Sequence, residues 1–373
     1  MDCNATTPLD PEVREVLLRF LDIDYGNASS RTHEYGARAQ QAVQHARDQV
    51  AAVVRASRDE VIFTSGATES NNLAIIGLAS HGEASGRRHI VSTAIEHKAV
   101  LEPLEYLARR GFDVTLVPPT AGGWIDPASV RAAVRHDTLL VSVMHVNNET
   151  GVTQDIDAIA ASISDDSVFV HVDGAQGFGK DLERLRHPRI DLISVSGHKI
   201  FGPKGVGALV YRRRNRKKPP LTPLLFGGGQ ERGIRPGTPP VMLIAALGMA
   251  AELALRDAKK RNARCVEFRR AALRALQAID PAINGDLDRA LPHVLNLSLR
   301  GVDSEAAMLA LKDVIAISNG SACTSSSYQP SHVLKAMGLS DARVAGALRL
   351  SWCHLTPDAP WDDIVSRLRC LVG

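Results

Sequence analysis

Short runs of apolar, often β-branched residues alternate with helix-compatible stretches over the first two-thirds of the chain. The runs predict strands at 61–64, 89–92, 112–117, 139–146, 168–172, 190–195 and 206–211. The stretches between them predict helices at 69–79, 98–109, 128–134 and 156–163. Strands that alternate with helices favour an α/β fold, in which helices cover both faces of a large, mostly parallel sheet.

The last third of the chain predicts a second, smaller α/β unit. Strands are expected at 294–299, 315–318 and 348–352, and helices at 305–312 and 361–371. The longest helix-compatible stretch, 241–270, is expected to connect the two parts. Single hydrophobic cores stop growing near about 250–300 residues, so a chain of 373 residues is expected to form two domains. We predict a large domain at 13–255 and a small domain made of 1–12 and 256–373.

Composition and charge are those of an ordinary globular protein. Hydrophobic residues make up 45% of the chain and charged residues 23%, and the net charge of +3 does not indicate a nucleic-acid or membrane partner. The longest apolar run, 241–251, is shorter than the roughly 20 residues that cross a membrane. The first residues lack the basic and apolar blocks of a secretory signal.

The five cysteines form no C-x-x-C pair, and an odd, scattered set is a poor disulfide framework. A reducing, cytoplasmic setting is therefore expected. No metal ligands are predicted. Each cysteine read alone is a small buried hydrophobe.

Candidate chemistry lies after the strands, because ligands of parallel sheets bind at the carboxyl ends of the strands. Lys199 follows the predicted strand 190–195 in the segment SGHKIFGPKGVG. This segment lacks the spacing of a phosphate-binding Walker loop and leads into a strand. A Schiff-base lysine needs a rigid turn, with hydroxyl and imidazole neighbours for a phosphate. Ser196 and His198 supply these neighbours.

Asp173 and Gln176 follow the predicted strand 168–172 in the segment HVDGAQ. Pyridoxal 5'-phosphate (PLP) needs a carboxylate that keeps its pyridine nitrogen protonated, because the protonated ring is an electron sink. Asp173 suits this role, and Gln176 could donate to the ring hydroxyl. The alternative for Asp173 is a simple strand-end cap.

Three further strand ends carry polar residues, each with an ordinary structural alternative. Thr68 stands where a strand passes into a helix, which suits either a phosphate or an N-cap. His97 could stack over a ring and carry a proton, or be a structural histidine. Asn148, in HVNNETG, is a candidate contact to ring or substrate. A suitable polar residue could follow any one of these strands by chance, but chance is a much weaker explanation when all of these strands carry one.

The motifs together resemble the cysteine desulfurase family, the class-V aminotransferase-like PLP enzymes. They are ATTPLDPEV, SGATESNN, EHKAVL, HVNNETG, HVDGAQ, SGHKIFGPKGVGAL, GGGQERGIRPGT and SNGSACTSS. The resemblance runs from the first residues to the last helix. It implies PLP fold type I, the aspartate aminotransferase-like fold, and a homodimer. The opening DCNATTP and the segment SNGSACTSSSYQPSHVLKAMGL resemble most closely the desulfurase of DNA phosphorothioation systems.

By motif position, the resemblance implies a role for each candidate residue. Lys199 would be the PLP lysine, with Asp173, Gln176 and Asn148 at the ring and His97 stacked over it. The phosphate would be bound by Thr68, Ser196, His198 and, from the neighbouring subunit, Thr238, and Ala67 is a further cofactor-binding candidate. Arg349 would bind the α-carboxylate of the substrate.

Cys323 falls on the family's nucleophile, in a segment whose glycine and serine residues suggest a mobile loop of the small domain. The implied reaction takes the sulfur of L-cysteine onto Cys323 as a persulfide and releases L-alanine, with Lys199 and His97 moving protons. The sulfur would pass to an acceptor protein, either an iron–sulfur scaffold or a DNA-modification partner.

Two departures from the family pattern concern the neighbourhood of the substrate. The opening reads Asp2-Cys3-Asn4, where the family usually has Asp-Asn. SWCHLTPD replaces the common Ser-Leu-Gly-Arg-Phe-Thr pattern after Arg349.

Other functions stay open at this level. A selenocysteine lyase or an aminotransferase could use the same fold, although a transaminase has no use for a mobile thiol. A nucleic-acid-binding or scaffold protein could use the basic run RRRNRKK at 212–218. That run lacks interleaved aromatics and a DNA-binding motif, so a solvated turn is the favoured interpretation and direct DNA binding is not expected.

Overall fold

The structure is a computed structural model that describes residues 1–214, 216–319 and 330–372. Its helices are α1 (Pro11–Asp22), α2 (Glu34–Val53), α3 (Ala67–Ile76), α4 (Ala79–Ser85), α5 (Lys98–Ala108), α6 (Pro127–Ala133), α7 (Ile156–Ser162), α8 (Val241–Arg256), α9 (Ala258–Leu276), α10 (Ser304–Leu311), α11 (His332–Ala336), α12 (Asp341–Ala345) and α13 (Trp361–Val372). Its strands are β1 (Val61–Thr64), β2 (His89–Thr93), β3 (Asp113–Val117), β4 (Thr138–Met144), β5 (Phe169–Asp173), β6 (Leu192–Ser196), β7 (Gly207–Tyr211), β8 (Ala282–Ile283), β9 (Val294–Ser298) and β10 (Ala347–Ser351).

Seven strands form one large sheet in the order β1-β7-β6-β5-β4-β2-β3. The pairs from β3 across to β6 are parallel, whereas β7 is antiparallel to both of its neighbours, β6 and β1. Every strand except β7 therefore points the same way, and six carboxyl ends share one edge. This arrangement confirms the predicted mostly parallel sheet of an α/β fold.

Side chains of the large sheet pack into two apolar clusters, one on each face. In β1, Val61 and Phe63 belong to one cluster and Ile62 to the other, as the two-residue period of a strand requires. The first cluster includes buried residues of α2 and α8, and the second includes those of α3 and α5. Because both faces are covered, the sheet presents its polar chemistry at its edges.

A second sheet is smaller and antiparallel, with the order β10-β9-β8. Its apolar cluster takes buried side chains from α9, α10 and α13. Phe268 of α9 lies against Trp352, with ring centroids 4.9 Å apart. This cluster is separate from the two clusters of the large sheet, and it surrounds the strand that carries Arg349.

Two of the predicted elements differ from the structure. The single helix expected at 241–270 is two helices, because Asp257 leaves the helical conformation (φ −105°, ψ 5°) between α8 and α9. The apolar α8 packs on α1 and α2, whereas the charged α9 buries one face beside the small sheet. The strand expected at 315–318 is not formed, and Ser318 makes only an isolated bridge with Arg349. The helices α1 and α2 were missed by the strand–helix pattern.

Candidate active site

A cavity of about 520 Å³ opens at the carboxyl edge of the large sheet. It brings together nearly all of the residues that the motifs single out. These lining residues are Ala67, Thr68, His97, Asn148, Asp173, Gln176, Ser196, His198, Lys199 and Arg349. They come from distant parts of the sequence and from both sheets, so the cavity is the candidate active site.

Lys199 stands on a tight turn directly after β6. The strand ends at Ser196, and the residues Gly197–Lys199 form one turn of 3₁₀-helix. The ammonium group of Lys199 donates to the carbonyl oxygens of Asn4 and of Ala5, the latter at 2.8 Å. The N-terminal segment therefore holds the lysine amine at the wall of the cavity.

Asp173 is the last residue of β5 and is 5% exposed. Its Oδ2 accepts a hydrogen bond from Asn71 Nδ2 at 2.8 Å, and its Oδ1 accepts one from the amide of Ala175 at 2.9 Å. The carboxylate is thereby fixed in one orientation at the floor of the cavity. Asn71 was missed by sequence reasoning, although it lies one helical turn after Thr68 in the quoted motif SGATESNN.

Gln176 and Asn148 are both tied to the N-terminal segment. Gln176 Nε2 donates to the carbonyl oxygen of Asn4 at 3.0 Å, and Asn4 Nδ2 donates to the carbonyl oxygen of Asn148 at 3.0 Å. Among the described residues, the buried Oδ1 atoms of Asn4 and Asn71 have no hydrogen-bond partner. Two lining side chains therefore offer unused acceptors at the site.

Thr68 is the second residue of α3, whose N-cap is Gly66. The interpretation of Thr68 as an N-cap is therefore wrong. Gly66 has φ 154°, and a Cβ on Gly207 would lie 2.6 Å from its Cα. Two glycines thus allow the turn after β1 to approach the start of β7 closely. Beside this turn, Ala67 and Thr68 at the start of α3 line the cavity. The first backbone N–H groups of a helix have no partner within the helix, which favours an anion at such a place.

His97 is the N-cap of α5, and its Nδ1 accepts a hydrogen bond from the amide of Ala99 at 3.0 Å. An acceptor nitrogen carries no proton, so the neutral ring has its proton on Nε2. His198 contacts Thr6 Oγ1 through Nδ1 at 3.2 Å. Burial, together with the nearby charges of Lys199 and Lys204, lowers the pKa of His198 to about 4, so this imidazole is neutral at pH 7.

Arg349 lies in β10 of the small sheet and is 1% exposed. Its guanidinium donates to the carbonyl oxygen of Asn148 at 3.0 Å and to Asp2 Oδ1 at 2.8 Å. A buried guanidinium that opens into a cavity is suited to a planar carboxylate. In this structure the carboxylate of Asp2 accepts from one of the guanidinium nitrogens, Nη2.

Two buried carboxyl groups close to the cavity were not identified from the sequence. Burial raises the pKa of Glu149 to about 7, although the hydroxyl of Ser331 and the charges of Arg349 and His97 oppose the rise. Burial also raises the pKa of Glu96 to about 8. Ser331 donates to Glu149 Oε2 at 2.5 Å, so Glu149 fixes the chain just after residues 320–329.

Among the candidate residues that the structure describes, Thr238 is the one outside the cavity. Thr238 is exposed and does not contribute to its lining. Cys323 lies outside the described residues. Within the described part of the chain, no group of three or more His, Cys, Asp or Glu residues could hold a metal ion. No helix among the described residues is long and apolar enough to cross a membrane.

The basic run at 212–218 is mostly used inside the fold. Arg212 is buried and donates to the carbonyl oxygens of Val54, Leu185 and His187. Three further basic side chains of the run make five contacts with neighbouring acids and with Tyr211. They are Arg213 to Asp59, Arg214 to Asp166 and Asp191, and Lys218 to Asp59 and the Tyr211 ring. Arg216 and Lys217 are exposed at a turn that the Arg214–Lys217 bridge closes, which agrees with the expected solvated turn. Arg212, Arg214 and Lys218 are tied to the rest of the fold and are not free to form a nucleic-acid surface.

Comparisons with known proteins agree with the geometry of the site. The model of the family "Aminotransferase class-V" matches residues 1–359. The cysteine desulfurase IscS of Vibrio cholerae serotype O1 (strain M66-2) is 44% identical over 375 residues, which cover 100% of this chain and 92% of that protein.

Solved structures share both the fold and much of the sequence. DndA from Streptomyces lividans is 48% identical, with a TM-score of 0.84 over 94% of this chain and 99% of that one. A protein described as SspA in complex with cysteine is 35% identical, with a TM-score of 0.82 over 94% of this chain and 97% of that one.

Proposed function

Because the chain belongs to the class-V aminotransferase family, whose cofactor is PLP, we propose that it is a cysteine desulfurase. It removes the sulfur of L-cysteine, releases L-alanine and carries the sulfur as a persulfide on Cys323. The observation that carries the proposal is the convergence of Lys199, Asp173 and Arg349 on one cavity, although they come from three different strand regions.

The residues present fit PLP. The cavity offers a lysine amine, a buried oriented carboxylate and the start of a helix, which match an aldehyde, a pyridine nitrogen and a phosphate. When bound, PLP supplies an electron sink for charge that develops on the substrate carbon. We propose that Lys199 binds it covalently and that Asp173 keeps its ring nitrogen protonated. Gln176, Asn148 and His97 would contact the ring, and Ala67, Thr68, Ser196 and His198 would hold the phosphate.

Substrate binding is assigned to Arg349 and Asn148. The guanidinium of Arg349 lies at the cavity and binds the α-carboxylate of L-cysteine, which takes the place of Asp2. A protein 35% identical to this chain is described as a complex with cysteine. Asp2 holds the guanidinium of Arg349 in place before the substrate binds. Because the guanidinium is already ordered, substrate binding costs less conformational entropy.

Proton transfer is assigned to His97 and Lys199. The proton on His97 Nε2 can move to or from a group in the cavity, because its Nδ1 is already used by α5. The amine of Lys199 would do the same work whenever it does not hold PLP. The Cys323 thiolate then attacks the substrate sulfur, a sulfur–sulfur bond forms, and the carbon–sulfur bond breaks with its electron pair left on the carbon side.

Partners and setting belong to the same proposal. We propose a cytoplasmic homodimer in which Thr238 reaches the phosphate of the neighbouring subunit, since it is exposed and outside its own cavity. The persulfide sulfur passes to an acceptor protein, for iron–sulfur cluster assembly or DNA phosphorothioation. The likeness to DndA, described above, favours the second of these destinations. The small domain of residues 1–12 and 256–373 carries both Arg349 and Cys323.

The experiment that tests the function measures alanine and sulfide from L-cysteine with purified, PLP-loaded protein. Lys199→Ala is expected to lose the visible absorption of covalently held PLP and all desulfuration. Cys323→Ser is expected to retain that absorption while alanine formation collapses, because a hydroxyl is a poor nucleophile toward sulfur. Mass spectrometry after one turnover should find the extra sulfur on the peptide that contains Cys323.

Each alternative function predicts a different result of this assay. An aminotransferase would give 3-mercaptopyruvate, with the amino group passed to a keto-acid acceptor, and neither alanine nor sulfide. A selenocysteine lyase would turn over selenocysteine with Cys323→Ser at the parental rate. Normal turnover and absorption in Lys199→Ala would contradict the assignment of the lysine itself.

A further inference from the structure

A second cavity, of about 50 Å³, lies next to the candidate active site. The two cavities share the N-terminal segment as a wall, because Asn4 and Ala5 line the first and Cys3 and Thr7 line the second. Three thiols and four basic side chains line this second cavity. They are Cys3, Cys265 and Cys353, with Lys180, Arg261, His293 and His354. None of these side chains has a part in the proposed desulfurase reaction.

Two of the thiols flank a single hydroxyl group. Thr356 Oγ1 lies 3.9 Å from Cys3 Sγ and 3.6 Å from Cys353 Sγ, and it accepts a hydrogen bond from the amide of Cys353 at 2.9 Å. The amide of Cys3 donates to the carbonyl oxygen of Ser351 at 3.3 Å, which holds the two backbones side by side. Cys3 and Cys353 pack together against Phe201 and are 7% and 5% exposed.

The two thiols differ in acidity. Hydrogen bonding from Cys3 lowers the pKa of the Cys353 thiol, and further hydrogen bonds from Thr356 act in the same direction against the effect of burial. The same interaction and burial raise the pKa of Cys3. The charges of Lys180 and Arg261 also attract a thiolate at Cys353. Burial raises the pKa of Cys265 to about 12, so this third thiol stays protonated.

We propose that Cys353 and Cys3 form a thiol–disulfide exchange site for low-molecular-weight disulfides, distinct from the desulfurase nucleophile. The Cys353 thiolate attacks one sulfur of the small disulfide and forms a mixed disulfide, and one small thiolate leaves. Cys3 gives up its proton and attacks the Cys353 sulfur, which forms the Cys3–Cys353 bond and expels the second small thiolate. The protein loses two electrons and two protons, and the small disulfide becomes two thiols.

The bond would form in the segment that shapes the active site. The neighbouring residues Asn4 and Ala5 hold the amine of Lys199, and Asp2 holds the guanidinium of Arg349. A Cys3–Cys353 disulfide would tie this segment covalently to the chain just after β10. The exchange site thus reaches the catalytic cavity through one short stretch of backbone.

The test treats the PLP-loaded protein with oxidised glutathione, followed by alkylation of remaining thiols under denaturing conditions and peptide mapping without reduction. The expected product is a Cys3–Cys353 disulfide. In Cys3→Ser the reaction should stop at a mixed disulfide of glutathione on Cys353. In Cys353→Ser, Cys3 should stay reduced over the same time. Cys265→Ser, in the same cavity, is the matched control and should behave as the parent.

Other outcomes would overturn the proposal. These are a Cys265–Cys353 disulfide, glutathione on Cys3 in Cys353→Ser, or glutathione only on the exposed Cys370. A measurement on the unaltered protein guards against variants that fail to fold. Iodoacetamide labelling at pH 6 should modify Cys353 before Cys3 and Cys265, and equal or slower labelling of Cys353 would contradict its role as the attacking thiolate.

Discussion

Asp173, the proposed partner of the PLP ring nitrogen, is held in one orientation by two hydrogen bonds. Its two oxygens are fixed by Asn71 and by the amide of Ala175, and the carboxyl group lies at the floor of the cavity. A strand-end cap would need only the second of these contacts. The contact from Asn71, which comes from a different helix, is better explained by a need to orient the carboxylate.

Asp173→Asn tests that role. A neutral amide cannot keep a pyridine nitrogen protonated, so we expect kcat to fall on the order of 100-fold or more, as when one oriented polar group is removed from an active site. The melting temperature and PLP content should change little. Asn71→Ala is the companion variant, with a smaller loss of kcat. A lower melting temperature at near-parental kcat would mean that Asp173 is a cap.

Glu149, a buried residue close to the cavity, is expected to make the free energy of unfolding depend on pH. Burial raises its folded pKa to about 7, above the value of an unfolded glutamate. Because the folded state holds this proton more tightly, the contribution to stability is fully present below the unfolded pKa. It is lost as pH rises through about 7.

Glu149→Gln is therefore expected to flatten the fall in the free energy of unfolding between about pH 4.5 and pH 8. The full effect of such a shift is roughly 3 kcal/mol. The glutamine keeps an oxygen that can accept the hydrogen bond of Ser331. The measurement is urea unfolding across that pH range. Parallel curves for the parent and the variant would show that Glu149 does not titrate there.

At the scale of elements, a buried ion pair joins α2 to the segment that leads to Thr238. The guanidinium of Arg47 forms a salt bridge with Glu231, and both side chains are almost fully buried. Glu231 also accepts a hydrogen bond from the amide of Phe63 at 2.9 Å. The carboxylate of Glu231 therefore connects α2, β1 and the segment 231–240.

Removal of one partner leaves the other charge buried and alone. The single variants Arg47→Met and Glu231→Leu are each expected to lower the free energy of unfolding by about 3–5 kcal/mol. The double variant Arg47→Met with Glu231→Leu should lose much less than the sum of its single variants, because neither charge remains. Chemical denaturation of the four proteins forms a double-mutant cycle. Additive losses would contradict a coupled pair.

Elements also show where sequence patterns failed. The pattern over 241–270 predicted one helix, because apolar and charged halves are both helix-compatible. The break at Asp257 follows from packing, since α8 is buried on the large sheet side and α9 beside the small sheet. The acidic partners of the run at 212–218 could not be expected from its composition, because Asp59, Asp166 and Asp191 come from three other places in the chain.

At the scale of the whole molecule, the proposed homodimer makes each site depend on two chains. A mixed dimer of one Lys199→Ala subunit and one Thr238→Ala subunit separates the possibilities. The Thr238→Ala subunit keeps its Lys199, and the Lys199→Ala subunit keeps its Thr238. If Thr238 serves the neighbouring site, these two intact residues meet in the site of the Thr238→Ala subunit. One complete site forms, so we expect about half of the parental activity.

The measurement uses two differently tagged chains purified as a mixed dimer, with each homodimer as a control. The Thr238→Ala homodimer is expected to bind PLP more weakly than the parent. Activity of the mixed dimer no higher than half that of the Thr238→Ala homodimer would place Thr238 in its own subunit's site. A fully active monomer in sedimentation would remove the premise.

The sequence by itself determined the α/β class, the mostly parallel sheet and the strand ends that carry Asp173, His97 and Lys199. These features are local, because strand periodicity, turn residues and motif spacing act over a few residues. The tertiary structure alone decided the partners of those residues: Asn71 for Asp173, Asp2 for Arg349, and Asn4 and Ala5 for Lys199. Each of these pairs joins positions far apart in the chain. No local pattern encodes such a contact, because it depends on how sheets and helices pack and on which polar groups burial leaves in need of a partner.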